Sequence, residues 1–162
     1  MSDKNISLIK MIKRYLICLL GIAGIIALDR WLKGWSAENL QGAGGRGLIP
    51  NIVGLRYAEN RGAAFGILPN MRWAFVILGA AVIVAVVWFV IKERVKSPFL
   101  LAGLTLVVGG TLGNLIDRAL DGFVVDMFEF LFVSFAIFNV ADIALTFGGI
   151  ITCLFILVKK PI

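Results

Sequence analysis

The chain has 162 residues, of which 60% are apolar and only 16% charged, with a mean hydropathy of +0.96. Soluble domains run at roughly half apolar and about a quarter charged, so this composition is membrane-like. It excludes a disordered chain, a disulfide-stapled secreted domain and an ordinary cytosolic enzyme, and the formal charge of +6 sits mostly beside apolar runs, where it sets topology and touches anionic lipid rather than nucleic acid.

A span needs about 20 residues, since each residue rises roughly 1.5 Å and the hydrocarbon core is about 30 Å thick. The chain reads as one integral membrane domain over residues 1–162: an all-α membrane protein with four transmembrane helices, plus a small β element and loops on the outer face. The spans are expected at about 13–35, 73–91, 98–118 and 135–158, with outer loops at 36–72 and 119–134. The first is an uncleaved span rather than a signal peptide. Ala27-Leu28-Asp29-Arg30 is a poor cleavage site, and an amphipathic pattern continues past it.

Within the first outer loop, Gly42, Gly44, Gly45, Gly47, Pro50, Gly54 and Pro69 forbid a continuous helix, and Ile52 to Tyr57 is strand-like. Gly122 to Asp126 in the second loop is strand-like too. Lys4, Lys10, Lys13 and Arg14 precede the first span, Lys92, Arg94 and Lys96 link the second and third, and Lys159 and Lys160 follow the fourth. The positive-inside rule puts these groups, and both termini, in the cytoplasm. Six further Lys/Arg between Asp29 and Arg72 lie on the opposite side and call for another explanation.

The polar residues supply one. Span one carries Asp29 and Lys33 outward, span three carries Asn114, Asp117 and Arg118 outward, and Asp142 sits one turn after Asn139 near the outer end of span four. Asn60 and Asp126 lie in the outer loops. Five parts of the chain therefore put polar groups in one layer, and ionisable groups in a membrane are functional by default. The structural alternatives are concrete. Asp29 with Lys33, and Asp117 beside Arg118, read as ion pairs holding helix ends, and Asn139 as an interhelical hydrogen bond. Trp31, Trp35, Trp73 and Trp88 read as interfacial belt, and Gly109-x-x-x-Gly113 and Ala144-x-x-x-Gly148 as helix contacts.

The chain has no His, which removes Ser-His and Cys-His nucleophiles and the usual His-based zinc sites. Cys18 and Cys153 lie in apolar runs without metal or disulfide spacing and read as packing residues. What remains is a carboxylate pair. Asp126 on a loop and Asp142 on span four can meet at the outer surface, offering one acid and one base to activate water against an amide. Two aspartates sixteen residues apart are, by themselves, a weak signal.

Five motifs in register are stronger. Asp29-Arg30-Trp31-Leu32-Lys33, Asn60-Arg61-Gly62-Ala63-Ala64-Phe65-Gly66, Gly110-Thr111-Leu112-Gly113-Asn114-Leu115-Ile116-Asp117-Arg118, Val124-Val125-Asp126 and Phe138-Asn139-Val140-Ala141-Asp142 follow in this order. Together they resemble the bacterial lipoprotein signal peptidase (signal peptidase II) family over nearly the whole chain. The resemblance implies an aspartic endopeptidase of the cytoplasmic (inner) membrane, cutting diacylglyceryl-modified prolipoproteins just before the lipidated cysteine. It puts the catalytic pair at Asp126 and Asp142, with Asn60, Arg118, Asn114, Asn139, Asp29, Lys33, Gly62 and Ala63 in supporting or substrate-binding roles. It implies no cofactor and no metal, with membrane lipids as the other partners and a monomer as the working unit. Arg30, where the family usually has Gln, Met127, where it commonly has Phe, and the glycine-rich stretch 40–50 depart from its pattern. Two rival classes make different demands. A proton-coupled transporter needs acids near the midplane and repeat symmetry, whereas a silent scaffold keeps its function without either carboxyl.

Overall fold

The computed structural model describes residues 3–62, 67–93 and 95–158. Ala63 to Gly66, Arg94, Lys159 and Lys160, all singled out in the sequence, lie outside the described residues. The chain forms α1 (Asp3–Leu40), β1 (Arg46–Ile49), β2 (Val53–Asn60), α2 (Arg72–Lys92), α3 (Pro98–Leu120), β3 (Val124–Phe130) and α4 (Val140–Val158). The four helices are long and apolar enough to cross a membrane.

α1 outruns its expected end because residues 35–41 hold no Gly or Pro, and the helix stops only where Gly42 takes a left-handed φ of 77°. Its two ends bury opposite things. Leu16, Ile17, Leu19 and Leu20 are exposed, as lipid-facing side chains are, while Asp29, Lys33, Ser36 and Leu40 are buried. Those four recur at helical spacing and form one inward stripe. α2 has no buried residue at all and packs mainly on α3.

α3 is the central helix, packed against the other three. Ser97 caps it by accepting from the Leu100 N–H at 3.4 Å, and Pro98 opens it where a missing N–H costs nothing. Its glycines set the helix separations. A side chain on Gly103 would meet Thr152 Oγ1 at 2.7 Å, and one on Gly110 would strike the Ala141 carbonyl oxygen and the Leu145 nitrogen of α4. Gly148 of α4 lies equally close to Gly103 and Val107. The expected Gly109–Gly113 stripe faces mostly elsewhere: Gly109 meets Ile25 of α1, and Gly113 meets Asp29 as well as Ala141.

The β element is a three-stranded antiparallel sheet in the order β1-β2-β3, with Ala58 opposite Asp126 and Asn60 opposite Val124. β2 and β3 cover the two strand-like stretches, and β1 arises from the glycine-rich region that gave no strand signal. Residues 135–139, expected in the fourth span, are not helical. Phe138 instead exchanges backbone hydrogen bonds with Phe128, accepting at 2.8 Å and donating at 2.9 Å, and so adds to the edge of β3. An apolar run satisfies a strand edge and a helix alike, so hydropathy alone overextended that span.

Candidate active site

The start of α4 is built as a reciprocal cap. Asn139 precedes the helix, and its Oδ1 accepts from the Asp142 backbone N–H at 2.9 Å, while Asp142 Oδ2 accepts from the Asn139 backbone N–H at 3.1 Å. This is a capping box with Asp in the return position, and the helix dipole favours an anion there. A third donor, the Ala141 N–H, is taken by Asp29 Oδ1 from α1 at 2.9 Å. The sequence thus fixes Asp142 at a helix start whose orphan N–H groups are answered by side chains of two helices.

Asn139 reaches the second carboxylate through its amide. Its Nδ2 donates to Asp126 Oδ1 at 2.6 Å, and Asn60 Nδ2 donates to Asp126 Oδ2 at 3.0 Å. Asn114 Nδ2 donates to the free oxygen of Asp142, Oδ1, at 2.7 Å. Each amide is held the right way round by its own oxygen. Asn60 Oδ1 accepts from the Gly62 N–H at 3.0 Å, Asn139 Oδ1 from Asp142, and Asn114 Oδ1 from Lys33 Nζ at 3.2 Å and Asn139 Nδ2 at 3.1 Å. Five elements or their flanks therefore converge on two carboxyl groups that share Asn139.

Asp126 is 2% exposed. Burial pushes its carboxyl up to about 7, and the Asp142 charge adds to the push, opposed by the Asn60 and Asn139 donors and the Lys33 charge. Asp126 thus carries a proton in neutral solution about as often as not.

Beside the pair lies a buried ion cluster. Lys33 Nζ stands 2.6 Å from Asp29 Oδ2 and 2.5 Å from Asp117 Oδ2, and Arg30 Nη1 stands 2.7 Å from Asp117 Oδ1. The expected Asp29–Lys33 pair is present. Asp117 does not pair with Arg118: neighbours on a helix point about 100° apart, and Asp117 turns to α1 while Arg118 turns to the sheet side. Arg118 Nη2 donates to the Gly62 carbonyl at 2.9 Å, and its guanidinium lies 5.0 Å from the Phe75 ring centre.

Two cavities adjoin the carboxylates. One of about 390 Å³ is lined by Asp142, Arg118, Asn60 and the aromatic wall Phe130, Phe135 and Phe138. The other, of about 350 Å³, is lined by Asp126, Asn60, Arg61 and Gly62. Both share Asn60, Ala136 and Ile137, so the two carboxyls open onto neighbouring spaces that meet at these three residues. Of the ten site positions named from the sequence, nine lie in this network or on its ion cluster, and Ala63 is outside the described residues. The aromatic wall and the Arg30 contact were not anticipated. The Phe-rich stretch from Phe128 to Phe138 was the signal for the wall; an i,i+4 reading of α1 gave none for Arg30.

A family model described as signal peptidase (SPase) II matches residues 21–158. The lipoprotein signal peptidase of Streptococcus pneumoniae (strain ATCC BAA-255 / R6) is 44% identical over 127 residues, covering 78% of this chain and 83% of that protein. That of Lactococcus lactis subsp. lactis (strain IL1403) is 39% identical over 148 residues, covering 91% and 97%. Two structures of a bacterial membrane enzyme solved by the in meso method superpose with a TM-score of 0.80 each, at 29% and 31% identity, over 90% of this chain. With the family model matching most of its length, four apolar helices and this polar layer between them, the chain belongs to the signal peptidase II family of membrane proteases.

Proposed function

We propose that this chain removes the signal peptide from diacylglyceryl-modified prolipoproteins, cutting the peptide bond just before the lipidated cysteine, with Asp126 and Asp142 activating water. The observation that carries this reading is the sharing of Asn139 by two carboxyls from separate elements, each with both oxygens fixed by N–H donors. Asp142, at the helix start, acts as base: it takes a proton from water as the oxygen attacks the scissile carbonyl carbon. Asp126 gives its proton to the carbonyl oxygen. Collapse of the resulting gem-diol returns that proton to Asp126 and transfers the one on Asp142 to the departing nitrogen. Arg118 has one of its five donors committed to Gly62 and others left for a substrate carbonyl, a positioning role shared with Asn60.

The names of the curated relatives support prolipoprotein as the substrate class. Orientation follows from Lys10, Lys13 and Arg14 at the start of α1 and Lys96 in the α2–α3 link. With these in the cytoplasm, the pair faces the outer leaflet. The aromatic-walled cavity beside Asp142 then opens where a signal helix arrives sideways through the bilayer. The test is mass spectrometry of products from matched lipidated and unlipidated substrate. A new N-terminus at the lipidated cysteine, from lipidated substrate alone, supports the reading; a cut elsewhere, or equal cutting of both, overturns it.

The pH dependence follows from Asp126. Above about 7 the Asp126 proton leaves and no acid remains there to protonate the carbonyl oxygen. Turnover is therefore expected to fall on the alkaline side, with a midpoint near 7 and about tenfold loss per further unit. A kcat profile between pH 5 and 9 checks it; constant turnover to pH 9 removes Asp126 as the acid.

A further inference from the structure

The ion cluster next to the pair runs from the surface inward. Arg30 is 44% exposed and grips Asp117, whose side chain is 4% exposed and whose other oxygen faces Lys33. Lys33 lies at ion-pair distance from both Asp29 and Asp117 and donates to the Asn114 oxygen at 3.2 Å. Asn114 is turned by that contact so that its N–H group meets Asp142. Two buried anions thus stand against one buried cation, and Arg30 makes the count even.

The other charges around the pair do not substitute for it. From α3, Arg118 donates to the Gly62 carbonyl, and its charge faces Asp142 and Asp126 ahead of Asp117, so it does not stand in for Arg30 at that carboxylate. After β2, Arg61 and Glu59 neutralise each other at 2.8 Å. Asp121, 3.8 Å from Arg30, adds a negative charge, and α4 brings only Asp142.

We propose that Arg30 is a positioning residue for the peptidase reaction, acting through Asp117 and Lys33 to keep Asn114 turned onto Asp142 and the carboxyl pair free of surplus negative charge. Without Arg30, Asp117 loses its surface partner and draws Lys33 toward itself, away from the Asn114 oxygen. The uncompensated charge also raises the proton affinity of Asp126, since an anion nearby disfavours a second one.

The inference rests on the proposed peptidase reading, and its test is made separable from it. The full chain in lipid nanodiscs, as wild type, Arg30→Gln and Arg30→Lys, is followed by kcat against pH with lipidated prolipoprotein. The Asp126 carboxyl carbon is titrated in parallel by 13C NMR, assigned with Asp126→Asn. In Arg30→Gln, kcat is expected to fall about three- to tenfold with KM within twofold, a general positioning effect. The kinetic limb and the NMR midpoint both move up by a few tenths to about one pH unit, the scale of one added charge at intermediate dielectric. Arg30→Lys restores both. If Arg30→Gln does not fold, high salt on the wild type screens the half-exposed Arg30–Asp117 pair and reads the same upward shift. An unmoved Asp126 midpoint overturns the inference, even if kcat falls. A wild type that cuts nothing overturns the peptidase reading, while the NMR midpoints still decide the role of Arg30.

Discussion

Replacing Asp126 or Asp142 by Asn is expected to lower turnover of lipidated prolipoprotein by roughly 10²- to 10⁴-fold in each single variant, the usual contribution of a positioned acid or base. The double variant is expected to be no slower than the worse single one, because groups that act as a unit lose their whole effect once. Asn keeps the size of the side chain but cannot exchange a proton in the same way. It also brings an N–H group toward a donor: both Asp126 oxygens receive amide N–H groups, and the Asp142 oxygens receive Asn114 and the Asn139 backbone. Each variant therefore loses about 1–3 kcal/mol of stability as well, so substrate binding must be measured beside turnover. Binding retained with turnover lost assigns the chemistry to the carboxyls. Turnover retained in either single variant removes that residue from the reaction, and retained function in both favours a scaffold.

How far the sequence disclosed this site depends on the kind of signal each residue gave. Asp142, Asn139, Asn114 and Lys33 were legible because helices have a fixed rise and period, so spacing from the basic ends gives both depth and face. The helix count was legible from hydropathy for the same reason. The start of α4 was written in the chain as Asn139-x-x-Asp142, a capping pattern, yet the apolar run before it obscured that start. β1 left no trace in the sequence. Its four residues are all exposed, so no alternation was imposed on them by burial. The partner of Asp117 was misread because adjacency in sequence is not adjacency on a helix. Only the packing of α1 on α3 brings Arg30 and Lys33 to that carboxylate.

The same close packing supplies the largest structural prediction. Gly110→Ala is expected to lower thermal stability by about 1–3 kcal/mol or more, and turnover by at least about tenfold. The added methyl would strike the Ala141 carbonyl oxygen and come 2.8 Å from the Leu145 nitrogen, both backbone atoms of α4 that no rotamer change can move aside. Those atoms flank Asp142, so α4 must shift exactly where its first turn is pinned by Asn114 at 2.7 Å and Asp29 at 2.9 Å. Gly149→Ala is the control. It lies in α4, the helix that Gly110 packs against, with nothing within 4 Å of the new methyl, and is expected to gain about 0.5–1 kcal/mol from helix propensity with turnover unchanged. On a chain of this size, 1 kcal/mol corresponds to roughly 2–4 °C, so the two variants should separate clearly in a melt. A Gly110→Ala protein that is as stable and as fast as Gly149→Ala would mean that α3 does not set the position of Asp142. The pair would then be held by its hydrogen bonds alone, and the burden of positioning would pass from the glycine contact to Asn114 and Asn139.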